Sequence, residues 1–150
     1  MRHGEALPNA SSDRERQLSE KGDKQAQRAG IWLNQQVDSI DCAFVSPYVR
    51  TKQTFTALTQ QIQVSSRYIE DQIIPTGNAQ RFSDYLDVWI AQHPDCQSLL
   101  ILSHMPFVSY LLDALCRTQH SVLFATGSIA EIRWKAEKLR FEFIAMRHGT

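Results

Sequence analysis

Cysteine is scarce in this chain and poorly placed for a scaffold role. Cys42, Cys96 and Cys116 are odd in number, widely spaced and form no CxxC pair. A disulfide framework or a zinc site is therefore not expected, and a reducing cytoplasm is the simpler setting. Net charge is also missing: 16 basic and 16 acidic residues cancel. No global field favours nucleic acid or an anionic membrane, so any anion site has to be a local basic cluster. Long apolar runs are absent as well. The longest lies around Leu99–Leu102, far too short to span a bilayer. Residues 1–20 are polar and charged, so no secretory leader is expected in them. There is no low-complexity tract and no linker-like stretch.

What is present suits one globular domain. The 150 residues can bury a sizeable core, and 43% apolar with 21% charged residues is ordinary for a globular protein. Residues 7–18 read as a polar loop. Ser19 is placed to cap a helix reaching about Gln36, with Ala26, Ala29, Trp32 and Leu33 at helical spacing. Asp41–Ser46 reads as a short buried strand. Ser46-Pro47 looks like a helix start, with the serine as cap, and that helix is expected to reach about Gln61. Arg67–Ile74 is strand-like or loop. Asn78–Gln92 is a helix with Phe82, Tyr85, Leu86, Trp89 and Ile90 facing inward. Ser98–Ser103 (SLLILS) has the continuous apolar character of a strand buried on both faces. A helix from Pro106 to about Cys116 follows. Ser128–Trp134 and Leu139–Met146 alternate around a KAEK turn, which is a hairpin pattern. This order predicts an α/β three-layer sandwich. Its sheet is mainly parallel, with helices on both faces and an antiparallel C-terminal edge hairpin. Ligands in such folds bind beyond the carboxyl ends of the strands.

Several polar residues gather at those ends: Arg2-His3-Gly4, then Ser46 to Arg50, then His104. Arg50 falls in the first turn of its helix, where unpaired N–H groups and the helix dipole already favour an anion. Its guanidinium is a fork matched to phosphate oxygens. Two histidines and two arginines at one sheet edge point to a phosphate site with a nucleophile.

Four stretches then appear in a characteristic order: RHGEA at Arg2–Ala6, DRERQLSEKG at Asp13–Gly22, SPYVRTKQT at Ser46–Thr54 and LILSHMPFV at Leu100–Val108. Together they resemble the histidine phosphatase superfamily, also called phosphoglycerate mutase-like, and within it the short SixA-type phosphohistidine phosphatases. The resemblance implies a single histidine phosphatase domain over residues 1–150, in a compact form without a lid insertion. It implies His3 as nucleophile and Arg2, Arg50 and a protonated His104 as the phosphate pocket. Arg16 matches a further substrate-binding arginine. No cofactor and no metal is implied, and the general acid, if one exists, would be sought among Glu5, Glu70 and Asp71. Ser46 is read as a helix cap rather than a nucleophile, and Asp13 either orients Arg16 or is plain loop.

The function so implied is removal of phosphate from a phosphohistidine on another protein. A histidine phosphotransfer domain in two-component signalling and a phosphocarrier are the partner types, with no nucleic acid and no membrane. A cytoplasmic monomer is expected. Two other functions compete: a phosphatase of a small phosphate ester on the same fold, and a non-catalytic phosphoprotein-binding module.

The tetrapeptide MRHG occurs twice, at Met1–Gly4 and Met146–Gly149. Only the first copy is followed by an acidic residue and the D-x-x-R-x-L-S-x-x-G pattern, so the chemistry is assigned to His3 and His148 is read as a tail residue. Met1 leaves little room for a first strand, and a few apolar residues upstream of it are expected. The alternative is that the FEFIAM run fills that slot and brings His148 to the pocket.

Overall fold

The computed structural model describes residues 1–150. Three parallel strands form the central sheet: β1 (Ser39–Val45), β2 (Gln63–Ile69) and β3 (Leu99–Leu102), in the order β2-β1-β3. β1 is central and buried on both faces. Ala43 and Val45 pack into one core with Ala29, Phe55, Leu58 and Leu102. Cys42 and Phe44 face a second core with Phe82, Leu86, Trp89 and Phe107. Helices α1 (Glu20–Gln36) and α2 (Val49–Leu58) cover the first face; α3 (Ala79–Gln92) and α4 (Phe107–Cys116) cover the second. These are the expected three layers.

The slot beside β3 is filled by the start of the chain. The Ser103 N–H donates to the Met1 carbonyl and the His3 N–H to the Ser103 carbonyl, both at 3.0 Å. This parallel stub continues into the C-terminal part of the fold, because the Arg2 N–H donates to the Ser128 carbonyl at 3.0 Å. β4 (Ile129–Lys135) and β5 (Arg140–Arg147) then form the antiparallel hairpin. The hairpin packs its Ile132, Phe141 and Phe143 against Val108, Leu112 and Phe124. β5 pairs only with β4, so the FEFIAM run does not occupy the slot beside β3.

The expected boundaries shift in places. Ser19 does cap α1, its side chain accepting from the Gly22 N–H at 3.0 Å. The loop over residues 7–18 carries one short 3-10 turn, Asp13–Glu15. α2 stops at Leu58 rather than near Gln61, and its cap position is Tyr48, not Ser46. Proline at 47 therefore precedes the helix instead of opening it. Tyr85 is not an inner residue of α3; at 38% exposed it lies at the edge of the aromatic cluster around Phe44.

Candidate active site

The glycines of the first two motifs bring the first loop against α1. A side chain on Gly4 would collide with the Gly22 backbone, and one on Gly22 with the Glu5 backbone. Ser19 completes the junction. Its N–H donates to the Glu5 carbonyl at 2.8 Å and its hydroxyl to the Glu5 carboxylate at 3.1 Å. From the other side, the Thr54 hydroxyl accepts from the Gly4 N–H at 3.1 Å, and Gln53 Oε1 accepts from the Leu18 N–H at 2.7 Å. The spacing of both motifs thus serves one purpose, which is to clamp the loop that follows His3.

His3 is buried and its tautomer is determined by its neighbours. Nδ1 lies 2.6 Å from the Gly4 carbonyl, which only accepts, so Nδ1 carries the proton. Nε2 accordingly presents its lone pair, toward which Arg50 Nε donates at 3.2 Å. Burial, outweighing the Gly4 hydrogen bond that opposes it, together with the charges of Arg50, Arg2 and Arg16, lowers the imidazole pKa to about 4. His3 is neutral and unprotonated at Nε2 at ordinary pH.

His104 stands beside it, with ring centroids 5.1 Å apart. Its Nε2 is 2.7 Å from Ser46 Oγ, and its Nδ1 is buried without a partner. This corrects the reading of Ser46: the hydroxyl orients His104 rather than capping a helix. The expectation of a protonated His104 also fails for the free protein. Burial first, then His3, Arg50 and Arg2, push its pKa down to about 2.

Arg50 is 4% exposed, yet its three guanidinium nitrogens all have partners. Besides His3, Nη1 donates to the Asp13 carbonyl at 2.6 Å and Nη2 to the Asp13 carboxylate at 3.1 Å. Arg2 donates from Nη1 to the Phe124 carbonyl at 2.7 Å, while its Nε is buried and unpartnered. Burial, then the charge of Arg50, lowers the Arg2 pKa, and Arg2 in turn acts on both histidines. Arg16 is further out. It reaches the cluster through Asp13, donating to its carboxylate at 3.1 Å and to the Leu7 carbonyl at 2.8 Å.

Other candidates lie elsewhere. Glu5 pairs with Lys21 at 2.8 Å and with Ser19, and these bonds hold its carboxyl below the usual range. Glu70 caps the turn after β2 by accepting from the Gln72 N–H at 2.9 Å. His148 is exposed in the C-terminal tail, outside the cluster. One contributor escaped the sequence reading. Tyr48 packs edge-on against His104 at 4.8 Å and lies under the Arg50 guanidinium at 5.0 Å. Its place between Pro47 and Arg50 was the only hint. An open depression of about 510 Å³ lies over the cluster's rim, lined by Pro8, Ala10, Ser12, Asp13 and Arg16. A larger groove of about 600 Å³, bordered by Asn78, Asp113 and Arg117, contains none of these residues.

Two buried rings with lowered pKa values make stability sensitive to acid. The unfolded chain takes up protons near the ordinary histidine pKa of 6.5, while the folded rings resist until about 4 and about 2. Stability is therefore highest above pH 6.5 and falls as pH drops through that value. By pH 5 each ring should remove roughly 2 kcal/mol. Urea unfolding of wild type and His104→Gln at pH 7 and pH 5 checks this: the variant should lose clearly less stability over the interval.

The family model of the histidine phosphatase superfamily (branch 1) matches residues 1–72. A phosphohistidine phosphatase SixA homolog from Haemophilus influenzae is 36% identical, over 92% of this chain and 88% of its own. Phosphohistidine phosphatase SixA from Escherichia coli is 32% identical, over 88% and 81%. A solved structure of the protein histidine phosphatase SixA complexed with tungstate superimposes with a TM-score of 0.91 at 29% identity, covering 99% of this chain and 94% of that one. The ordered motifs, the fold and these relatives agree: the chain belongs to the SixA group of the histidine phosphatase superfamily.

Proposed function

We propose that this protein is a phosphohistidine phosphatase acting on a phosphorylated signalling or phosphocarrier protein, through a phosphohistidine intermediate on His3. The observation that carries the reading is the Nε2 lone pair of His3, held unprotonated among Arg2, Arg50 and His104. A neutral imidazole attacks phosphorus, the new N–P bond forms, and the substrate's own N–P bond breaks. The leaving ring departs as neutral imidazole when its second nitrogen is protonated. Water then attacks the phosphoenzyme, forming a P–O bond and freeing His3 and orthophosphate.

Charge on the transferred group spreads over its equatorial oxygens, so catalysis is mainly positioning and cationic stabilisation. Arg50 and Arg2 supply the charge. With the Ser46 hydroxyl donating to its Nε2, His104 would present Nδ1–H as a neutral donor. A dianion beside it would raise its pKa and strengthen that bond. Arg16 is the outer contact.

Two features favour phosphohistidine over a phosphate ester. An alkoxide leaving group needs a proton from a general acid, and Glu5 is held ionised by Lys21 and Ser19. The span between α2 and β3 holds one strand, one short turn and one helix, which leaves the site open to a folded protein. The SixA relatives named above carry the phosphohistidine phosphatase name, and the oxyanion in the related structure, tungstate, is tetrahedral like phosphate. The test is a substrate panel. A phosphorylated histidine phosphotransfer domain or phosphoramidate should turn over much faster than sugar phosphates. Faster ester hydrolysis would favour the small-ester reading, and a stable complex without phosphate release would favour a binding module.

A further inference from the structure

We propose that Asp13 is a specificity-determining residue whose carboxylate occupies the Arg50–Arg16 pair in the free protein and competes there with small oxyanions. The proposal rests on reading the cluster as a phosphate site. One carboxylate oxygen accepts from Arg50 Nη2 and the other from Arg16 Nη1, each at 3.1 Å, while the Asp13 carbonyl takes Arg50 Nη1. With Arg50 Nε directed at His3, no nitrogen of this guanidinium is without a partner. A two-oxygen acidic group bridging two arginines is the geometry by which a phosphoryl group would engage them. Asp13 therefore stands in for the substrate's oxygens.

The stand-in is built to leave. The Asp13 side chain is 55% exposed, against 4% for Arg50. Its turn spans three residues, buries none of them, and its Ser12 cap makes no side-chain bond. Arg16 and Asp13 are both open to solvent, and pairs of that kind hold weakly; only the bond from Arg50 draws on a buried partner. Burial opposes ionisation of Asp13, but the bonds from Arg16 and Arg50 outweigh it and hold its pKa below the ordinary value, so the competing charge is present at neutral pH.

The competition discriminates between ligands. A free oxyanion binds through charge alone and meets a carboxylate of like sign. A phosphohistidine on a folded protein also brings contacts over the depression bordered by Pro8, Ala10, Ser12 and Asp13, and these can move the turn aside. After turnover, the returning carboxylate helps expel orthophosphate. Asp13 touches no reacting atom in this scheme; it sets which phosphates are admitted and how readily product leaves.

The opposite role predicts the opposite sign. If Asp13 merely holds Arg50 in place, removing it loosens the cation and weakens anion binding. Tungstate and inorganic phosphate binding to wild type, Asp13→Asn and Asp13→Ala, by calorimetry at fixed ionic strength, decides. Both variants should bind tungstate about three- to fivefold tighter than wild type. Unchanged or weaker binding in either variant overturns the proposal. The measurement needs no turnover, so a wild-type protein inactive on phosphohistidine would count against the proposed function and leave this test intact.

Discussion

Replacing His3 with alanine should reduce phosphohistidine turnover by at least about 10⁴-fold, because it removes the atom that accepts the phosphoryl group. No neighbour can substitute. His104 Nε2 is engaged by Ser46, and its ring is fully buried. His148 is exposed to solvent and its ring makes no hydrogen bond to the cluster, although it stands in an identical tetrapeptide. The loss should fall on turnover, not on the pocket. Arg50 and Arg2 remain, so tungstate binding to His3→Ala should stay within a few-fold of wild type. A variant that fails to bind tungstate would signal a collapsed site instead. His148→Ala is the matched control and should turn over at the wild-type rate.

Replacing Arg50 with alanine should lower kcat/KM by about 10³-fold or more, the cost of removing a buried arginine from a phosphoryl-transfer site. The arginine has two roles. Its charge stabilises the equatorial oxygens, and its Nε–H orients the His3 lone pair at 3.2 Å. Arg50→Lys restores the charge without the fork, so it should recover only a small part of the loss. Stability should move less. Its bonds to Asp13 and His3 are lost while its repulsion with Arg2 is relieved, so the net cost should be about 1–2 kcal/mol, well below the kinetic loss. Steady-state kinetics beside urea unfolding separates the effects. Equal losses in both would mean that Arg50 is structural.

Much of this architecture was legible in the sequence, for identifiable reasons. Strands buried on both faces are written as unbroken apolar runs, and β1 and β3 carry that pattern. Ser19 caps its helix through a short side chain that bonds the N–H three residues on, which is a local rule. The hairpin followed from its alternation.

The features that escaped are non-local. Ser46 has the local signature of a cap, but its hydroxyl serves His104, 58 residues away, and only the folded sheet edge brings them together. A phosphate pocket favours cations, which suggests a protonated His104; burial beside His3 and two arginines reverses this in the free protein. Asp13 sits in a polar loop with no periodicity to mark it, and its bond to Arg50 closes a separation of 37 residues. The stub at Met1–His3 is too short to show any strand pattern, and its pairing with Ser103 is visible only in the fold. The two MRHG copies are told apart by their downstream residues, because the clamp on the first loop needs Glu5, Ser19 and Gly22.

The central claim is that phosphate passes through His3. Brief reaction with a phosphohistidine substrate carrying labelled phosphate, quenched in alkali and mapped by mass spectrometry, tests it most directly. A single labelled site is expected, at His3, and it should be absent in His3→Ala. Label on His104, His148 or any other residue would contradict the claim, as would turnover with no phosphoenzyme formed.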